Sequence, residues 1–482
     1  MQIKRMIFND TFKYTQADSL GYNYREDCFI MSNGIISDNT FLKPNKYGLV
    51  NRLYIPSAAE ENKWNPDFLT LKKYEYMEGS KYKKASHWFK DMSRIHGRDV
   101  SLVSLAFVVA SLNFDIISRS LKFFPLLCIA GQKGSGKGTF IKCVLNLFAS
   151  DPDQVMINNS TYKAFMRKLE QVANVPVWFD EFKNNLGIKE IEALKNIYDI
   201  RGRSTAVKSN DNKTSQGRVL SPVILSGQEI PMDEALLSRC LTFQLDVKSS
   251  STTEEAIEVD KFTEECERGL GLVLTELIGH RNHIKNNYKD TYIRVRSLLH
   301  QKVTEKKGKV NGRLLNIYGC VLSALICAID NGLKLHFLSS YNEVDCNPIL
   351  ADIFADCVMR QSELESNRDE VMVFWNIFES MIDKNIIKED IDYCIDREKG
   401  EFYFHSIIFD EYKKYYWDVH KEHSVDIDSL RNYLKQKKYY DQDSKKNNIR
   451  YYKVRKEGKK ERRKRSLVFM IDKMEDLELE FL

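Results

Sequence analysis

Between residues 122 and 245, apolar runs of four to eight positions (123–130, 175–179, 219–225 and 241–245) alternate with polar stretches long enough to cross a sheet as helices. That spacing predicts buried strands of a parallel sheet with helices between them. Dense apolar positions over 87–121 predict a buried helix or helix pair ahead of the sheet, ending at the polar break Ser118-Arg119-Ser120. The first 75 residues are patterned differently: short β-prone runs such as Cys28-Phe29-Ile30-Met31 and Leu49-Val50 lie between the turn signals Ser32-Asn33-Gly34, Ser37-Asp38-Asn39 and Pro44-Asn45. A small β-rich module follows from that pattern. Residues 250–360 read as helical, including an apolar segment over 314–329, and the last part alternates aromatic-rich helical patterns with a basic stretch and a final apolar run over 466–471. Four regions are expected: a β-rich module over 1–85, an α/β core over 86–250, a helical region over 251–367 and a basic domain over 368–482.

Composition excludes disorder and fibrous repeats: 43% of the 482 residues are hydrophobic, with only 22 Gly and 9 Pro. Net charge is +5, but residues 431–465 alone hold sixteen Lys/Arg against four Asp/Glu, or +12, which leaves −7 for the rest of the chain. A mildly acidic body thus carries a strongly basic appendage. The ten cysteines are scattered without metal-ligand spacing and mostly sit in apolar runs, as reduced structural thiols do. The longest apolar stretches, 102–112 and 321–329, fall short of the roughly 18 residues a membrane span needs. With no secretory pattern at the start, a cytoplasmic protein without a membrane partner is expected.

The strongest chemical signal is Gly131-Gln132-Lys133-Gly134-Ser135-Gly136-Lys137-Gly138-Thr139, directly after the strand expected over 123–130 and before a helical segment. Gly131, Gly134 and Gly136 let successive N–H groups turn towards phosphate oxygens, the helix start adds its dipole, and Lys137 reaches the outer phosphates. This is a P-loop in its expected context, and it implies ATP and Mg²⁺. It departs from the motif at Gly138, where Ser or Thr supplies a hydroxyl to Mg²⁺. Either Thr139 takes that role or water does. The run Val175-Pro176-Val177-Trp178-Phe179-Asp180-Glu181 is an apolar strand ending in two carboxylates. Asp180 is placed to hold the Mg²⁺ shell and Glu181 to act as general base on the attacking water. A third strand, ending Ser226-Gly227-Gln228-Glu229, offers Gln228 as a γ-phosphate sensor, with Ser226 as the alternative. Arg239, in Ser238-Arg239-Cys240, suits an arginine that completes a neighbouring subunit's site.

These four elements in this order resemble an AAA+ ATPase, and more closely the superfamily-3-type and MCM-like helicases of phages and mobile elements. The resemblance covers roughly residues 90–330. It includes Asn196-Ile197-Tyr198-Asp199-Ile200-Arg201-Gly202-Arg203 followed by Ala206-Val207-Lys208-Ser209-Asn210-Asp211. In the family this segment forms a hairpin that grips DNA in the channel of a hexameric ring. The likeness therefore implies a homo-hexamer moving along single-stranded DNA, with Arg203, Lys208, Lys213 and Arg218 as gripping residues. It also implies a lid arginine over the nucleotide, for which Arg313 is the candidate and Arg294 and Arg296 are rivals. A separate primase or polymerase would be a partner, since residues 1–90 leave no room for a primase domain.

The basic region places a helical segment around 429–434 before β-prone Arg450-Tyr451-Tyr452-Lys453-Val454, a charged turn at Gly458 and apolar 467–471. A helix followed by a two-stranded wing with a basic tip is a winged-helix pattern, with Lys459, Lys460, Arg462 and Arg463 on duplex or forked DNA. The expected fold is α/β: a P-loop AAA+ core with a parallel sheet, a β-rich N-terminal module, a helical lid and a C-terminal winged helix. Two other readings stand beside the helicase. The loop Gly134-Ser135-Gly136-Lys137-Gly138-Thr139 also suits a nucleoside monophosphate kinase, and an ATP-switched initiator or loader would share every motif without unwinding.

Overall fold

The computed structural model describes residues 14–482 except 153, 158–161, 185, 187, 203, 207–213, 217, 232, 247–252, 309, 342–345, 369, 406, 421–423, 425–426, 428–429, 432–433, 435–449, 457–458, 475–476, 478, 480 and 482. The chain forms two compact units, Met1–Ser362 and Glu363–Leu482.

The first unit opens with β1 (Thr15–Gln16), β2 (Leu20–Asn23), β3 (Cys28–Met31), β4 (Gly34–Ser37), β5 (Thr40–Leu42), β6 (Leu49–Val50) and β7 (Leu53–Tyr54). Strands β2 to β5 form an antiparallel meander, and β1 and β6 flank β7 in a small second sheet. The β4–β5 turn carries Asp38 and Asn39 at φ +48° and +58°, left-handed at both positions as a twisted two-residue hairpin requires. The short helix α1 (Pro66–Lys72) then leads to three helices that enter the core. Of these, α2 (Ala85–His96) and α4 (Phe114–Leu121) each bury one face, whereas α3 (Arg98–Leu112) is buried on all sides from Val100 onward.

The central sheet contains β8 (Leu126–Ala130), β9 (Gln154–Met156), β11 (Val177–Phe182), β14 (Val223–Gly227) and β15 (Cys240–Gln244), all parallel in the order β15-β8-β14-β11-β9. Connecting helices include α5 (Lys137–Leu145), α6 (Tyr162–Gln171), α7 (Ile188–Tyr198) and the short α8 (Glu234–Leu237). Two further short pieces complete the region. Strand β10 (Val172–Ala173) adds to the N-terminal meander beside β2, while β12 (Ser204–Ala206) and β13 (Thr214–Gln216) make a separate antiparallel ribbon. The apolar runs in the sequence become strands because both sheet faces are covered by helices.

Helices α9 (Thr253–Glu267), α10 (Gly271–Ile278), α11 (Arg281–Glu305), α12 (Gly312–Asp330) and α13 (Asn347–Arg368) follow. The pair α11 and α12 lies antiparallel, with the Tyr288 hydroxyl donating to Cys320 O (3.1 Å) and Arg296 Nε to Asn316 Oδ1 (2.6 Å). By length and composition α12 could cross a membrane, but 78% of its apolar window is buried inside this unit, as in a core helix. The edge strand β15 is covered by Gln361 of α13, whose amide accepts from Thr242 N (3.0 Å) and donates to Cys240 O (2.8 Å). One side chain thereby satisfies a donor and an acceptor that would otherwise lack strand partners. One continuous apolar cluster joins the N-terminal sheets, the central sheet and these helices.

Two contacts lock the N-terminal sheet to that body. The guanidinium of Arg281 lies 3.4 Å from the Tyr22 ring centroid and bonds both oxygens of Asp115 at 2.8–2.9 Å. Burial pushes the Tyr22 hydroxyl up to about 12, with its hydrogen bond to Asp27 adding to the shift. At Gly21 (φ +86°) a Cβ would fall 1.9 Å from Ala173 O, so β10 can approach only a glycine there.

The second unit contains α14 (Glu370–Asp383), β16 (Tyr393–Asp396), β17 (Glu401–His405), α15 (Ile408–His420), β18 (Arg450–Lys456) and β19 (Lys459–Met470). Its sheet runs β16-β17-β19-β18, all antiparallel. An aromatic core holds it, including Trp375 against Phe469 (5.4 Å) and Phe404 stacked on Phe469 (5.3 Å). Gly458, where a turn is expected, lies outside the described residues, and the basic residues after it fall within β19. There Lys459 pairs with Lys456, Arg462 with Val454 and Arg463 with Lys453, and Lys460 falls in the same strand.

Gly21→Ala is expected to lower the stability of the first unit by about 2 kcal/mol or more, since it adds both a steric overlap and a left-handed backbone penalty. Thermal unfolding measures this; a melting temperature equal to wild type would show that β10 and β2 do not pair closely.

Candidate active site

The chain leaves β8 at Gly131, where a Cβ would come within 2.5 Å of both Leu245 O and Ser135 Oγ. Gly134 and Gly136 adopt φ +87° and +78° with open space at their Cβ positions, so the backbone conformation alone selects glycine there. The loop is closed by Ser135 N donating to Gln132 O (3.1 Å) and Gly131 N donating to Gly227 O (3.1 Å). Helix α5 begins at Lys137 with Gly136 as its N-cap and no side-chain cap. Its first N–H groups therefore have no acceptor within the helix, and its positive end faces the loop. Ser135 Oγ is buried and unpartnered among the described residues. Unpaired donors around a glycine turn fit a polyanion with several oxygens, such as a triphosphate chain.

Beside the loop lies a cavity of about 780 Å³ lined by Gly134, Ser135, Gly136 and Thr139, the 95–100 segment, the end of β15 and Arg360 of α13. Within its wall Asp99 accepts from Arg98 Nε (2.9 Å) and pairs with Arg360. Burial pushes the Asp99 carboxyl up, but hydrogen bonds and charge from Arg360 and Arg98 outweigh burial and hold it below the usual carboxylate range.

On the other side of the loop, β14 separates β8 from β11, and the three strands end level: Gly227 pairs with Ala130 and with Phe182. The register of β11 shifts between Phe179 and Phe182, and Glu181 sits at φ +58°, a strained value for a non-glycine residue. The bulge leaves Asp180 half-buried and Glu181 exposed. Asp180 Oδ1 accepts from Ser226 Oγ (2.5 Å) and from Glu181 N (2.8 Å), while Trp178 Nε1 donates to Ser226 Oγ (2.7 Å). Asn184 fixes the next segment by donating from its backbone N and its Nδ2 to Glu229 Oε2, both at 2.9 Å.

The sheet thus gathers the glycine loop, Lys137, Thr139, Asp180 and Glu181 at one end of the strands. Gln228 is exposed just past β14, and Ser226 donates to Asp180. Arg239 lies at the opposite end, preceding β15, whose Cys240 pairs with Leu126 at the start of β8. Its Nη1 donates to Ala235 O (2.6 Å), its Nη2 is 3.8 Å from Asp199 and its guanidinium is 5.2 Å from the Tyr198 ring centroid. Arg313 lies at the start of α12. Its Nη1 donates to Ser238 Oγ (2.8 Å), at the Arg239 end of the sheet, because the N-terminus of α12 packs there. The arginines in the cavity wall are Arg98 and Arg360. Of the hairpin residues, Arg218 is exposed after β13, whereas Arg203, Lys208 and Lys213 lie outside the described residues.

A solved structure of the SCCmec type IV Cch active helicase aligns with 99% of this chain and 83% of its own, at a TM-score of 0.53 and 14% sequence identity. The fold is that of a helicase structure. The NrS-1 C-terminal region aligns over 83% of this chain and 79% of its own at a TM-score of 0.33 and 12% identity. The JCV helicase aligns over 40% of this chain and 61% of its own at a TM-score of 0.24 and 12% identity. No protein-family model and no curated sequence matches the chain.

Sequence reasoning passed over Trp178, Arg98, Asp99 and Arg360. Trp178 carries a usable signal, since it lies two residues before Asp180 and so on the same strand face. Arg360 carries none, being 261 positions from the Asp99 it meets.

Asp99→Asn is expected to lower stability at pH 7 by about 0.5 kcal/mol, a small figure because water screens the half-exposed arginines. A depressed folded pKa contributes stability above the ordinary carboxylate range and loses it as pH falls through the folded value. The variant and wild type should therefore converge below about pH 4, which paired urea titrations across pH would measure. A gap that widens on acidification would contradict the pairing.

Proposed function

We propose that this protein is an ATP-dependent DNA helicase or translocase that works as a hexameric ring of identical subunits. The observation that supports this most directly is the division of chemistry between the two ends of one sheet. The loop and carboxylates stand at the carboxyl end, and Arg239 stands at the other, the length of β15 away, or roughly 15 Å for five residues. Arg239 cannot reach its own loop, but a second copy packed against that end brings it to the neighbour's site.

In this reading the loop amides and Lys137 bind the β- and γ-phosphates, and the cavity takes the nucleoside. Thr139 and Asp180 would hold Mg²⁺, which neutralises phosphate charge when bound. Glu181, lifted out of the strand by the bulge, polarises the attacking water, with Gln228 as sensor. Arg239 of the neighbour leaves Ala235 O and Asp199 for the transferring phosphoryl group, and Arg313 approaches from the same face. The β12–β13 ribbon, with Arg203, Lys208, Lys213 and Arg218, grips single-stranded DNA. The second unit, read as a winged helix with the β18–β19 ribbon as its wing, contacts duplex or forked DNA through Lys459, Lys460, Arg462 and Arg463. The setting is replication of a phage or mobile element in a bacterial cytoplasm, with a separate primase or polymerase as a further partner.

DNA-stimulated ATP hydrolysis and strand displacement on a forked duplex test the reading. Lys137→Ala should abolish turnover, and Glu181→Gln should lower it at least about 100-fold while ATP binding persists. Arg239→Ala and Lys137→Ala should each be inactive alone and regain part of the hydrolysis when mixed, because each supplies what the other lacks. Wild-type turnover in Arg239→Ala would sink the shared site, and phosphate transfer to nucleoside monophosphates without DNA dependence would favour the kinase reading.

A further inference from the structure

The P-loop helix lacks the hydroxyl that ordinarily meets Mg²⁺, because Gly138 follows Lys137. A Cβ at Gly138 would meet nothing within 4 Å, so crowding does not explain the glycine. Across the sheet, Asp180 has a hydroxyl partner of its own in Ser226. An indole N–H can only donate, so Ser226 Oγ must accept from Trp178 Nε1 and turn its single proton towards Asp180 Oδ1. Oδ1 receives the Glu181 N–H as well, leaving Oδ2 as the carboxylate oxygen without a hydrogen bond among the described residues. Trp178 is 2% exposed and Ser226 0%, so water does not compete for this chain of bonds.

We infer that Trp178 is a positioning residue which, through Ser226, holds Asp180 in the orientation that presents Oδ2 to Mg²⁺, and that the site leans on this relay because Thr139 stands one position past the place of the motif's hydroxyl. The inference rests on the phosphate-site reading above. It assigns the tryptophan a role beyond filling the core. A ring of similar shape without the N–H would pack but would leave the Ser226 rotor free to turn away.

The test is the binding of a fluorescent, non-hydrolysable ATP analogue to the full chain, titrated with Mg²⁺ and repeated in EDTA. Trp178→Phe and Ser226→Ala should each raise the Mg²⁺ concentration for half-maximal binding about tenfold, the scale of a lost hydrogen bond to a charged group, with EDTA binding unchanged. The double variant should be no worse than either single one, because both cut the same relay. Gly138→Ser should restore the Mg²⁺ response of each variant. In the nucleotide-free chain labelled with ¹⁵N-tryptophan, the Trp178 indole resonance, assigned by its loss in Trp178→Phe, should move in Ser226→Ala. If Trp178→Phe does not fold, Ser226→Ala with and without Gly138→Ser makes the same comparison. Unshifted Mg²⁺ midpoints, additive losses or no rescue by Gly138→Ser would overturn the relay alone. A wild-type chain with no Mg²⁺-dependent binding would overturn the phosphate site and the relay together.

Discussion

Gly227 is the point on which the candidate site turns. Its carbonyl accepts the Gly131 N–H that sets the exit of the glycine loop, it pairs with Ala130 on one side, and it pairs with Phe182 on the other. A Cβ there would lie 2.2 Å from Phe182 O, so the bulged end of β11 can close on β14 only because this position has no side chain. Loop and carboxylates hold their places because two neighbouring strands are tied to one residue between them.

That arrangement has a consequence for the rest of the fold. A parallel sheet collects its loops at its carboxyl end, where α/β folds bind ligands. Everything feeding the other end, including α8, the turn to β15 and the start of α12, is separated from the loop by the depth of the sheet. Arg239 and Arg313 are held together there by Ser238, Tyr198 and Asp199 rather than spread around one pocket. Burial raises the Tyr198 hydroxyl pKa, and the two nearby arginines oppose that shift. A single subunit thus carries the glycine loop and the arginine pair at opposite ends of one sheet.

The helices around the sheet supply the wall of the cavity as well as its cover. Arg360 and Gln361 are adjacent on α13, yet one pairs with Asp99 in the cavity wall and the other covers the edge of β15. A movement of α13 would therefore act on the cavity and on the sheet edge at once. The N-terminal sheet is held through Tyr22 against Arg281 and through the close approach of β10 at Gly21, and so belongs to the same packed body.

The sequence by itself determined the local elements whose cause is local. Continuous apolar runs become strands buried on both faces, glycines mark the loop where φ turns positive, and Asp180-Glu181 follow an apolar strand. The separation of +12 into residues 431–465 was likewise legible, since charge is a property of residues and not of their placement. Tertiary structure alone decided which residues meet. It put Arg313 beside Ser238, brought Arg360 to Asp99 across 261 positions, and joined Trp178 to Asp180 through Ser226 on a neighbouring strand. It also ran β19 unbroken from Lys459 to Met470, because β18 pairs with its charged first half and β17 with its apolar end. Periodicity reports how each segment meets water, whereas strand order and helix packing are settled by long-range contacts that leave no periodic trace in the chain.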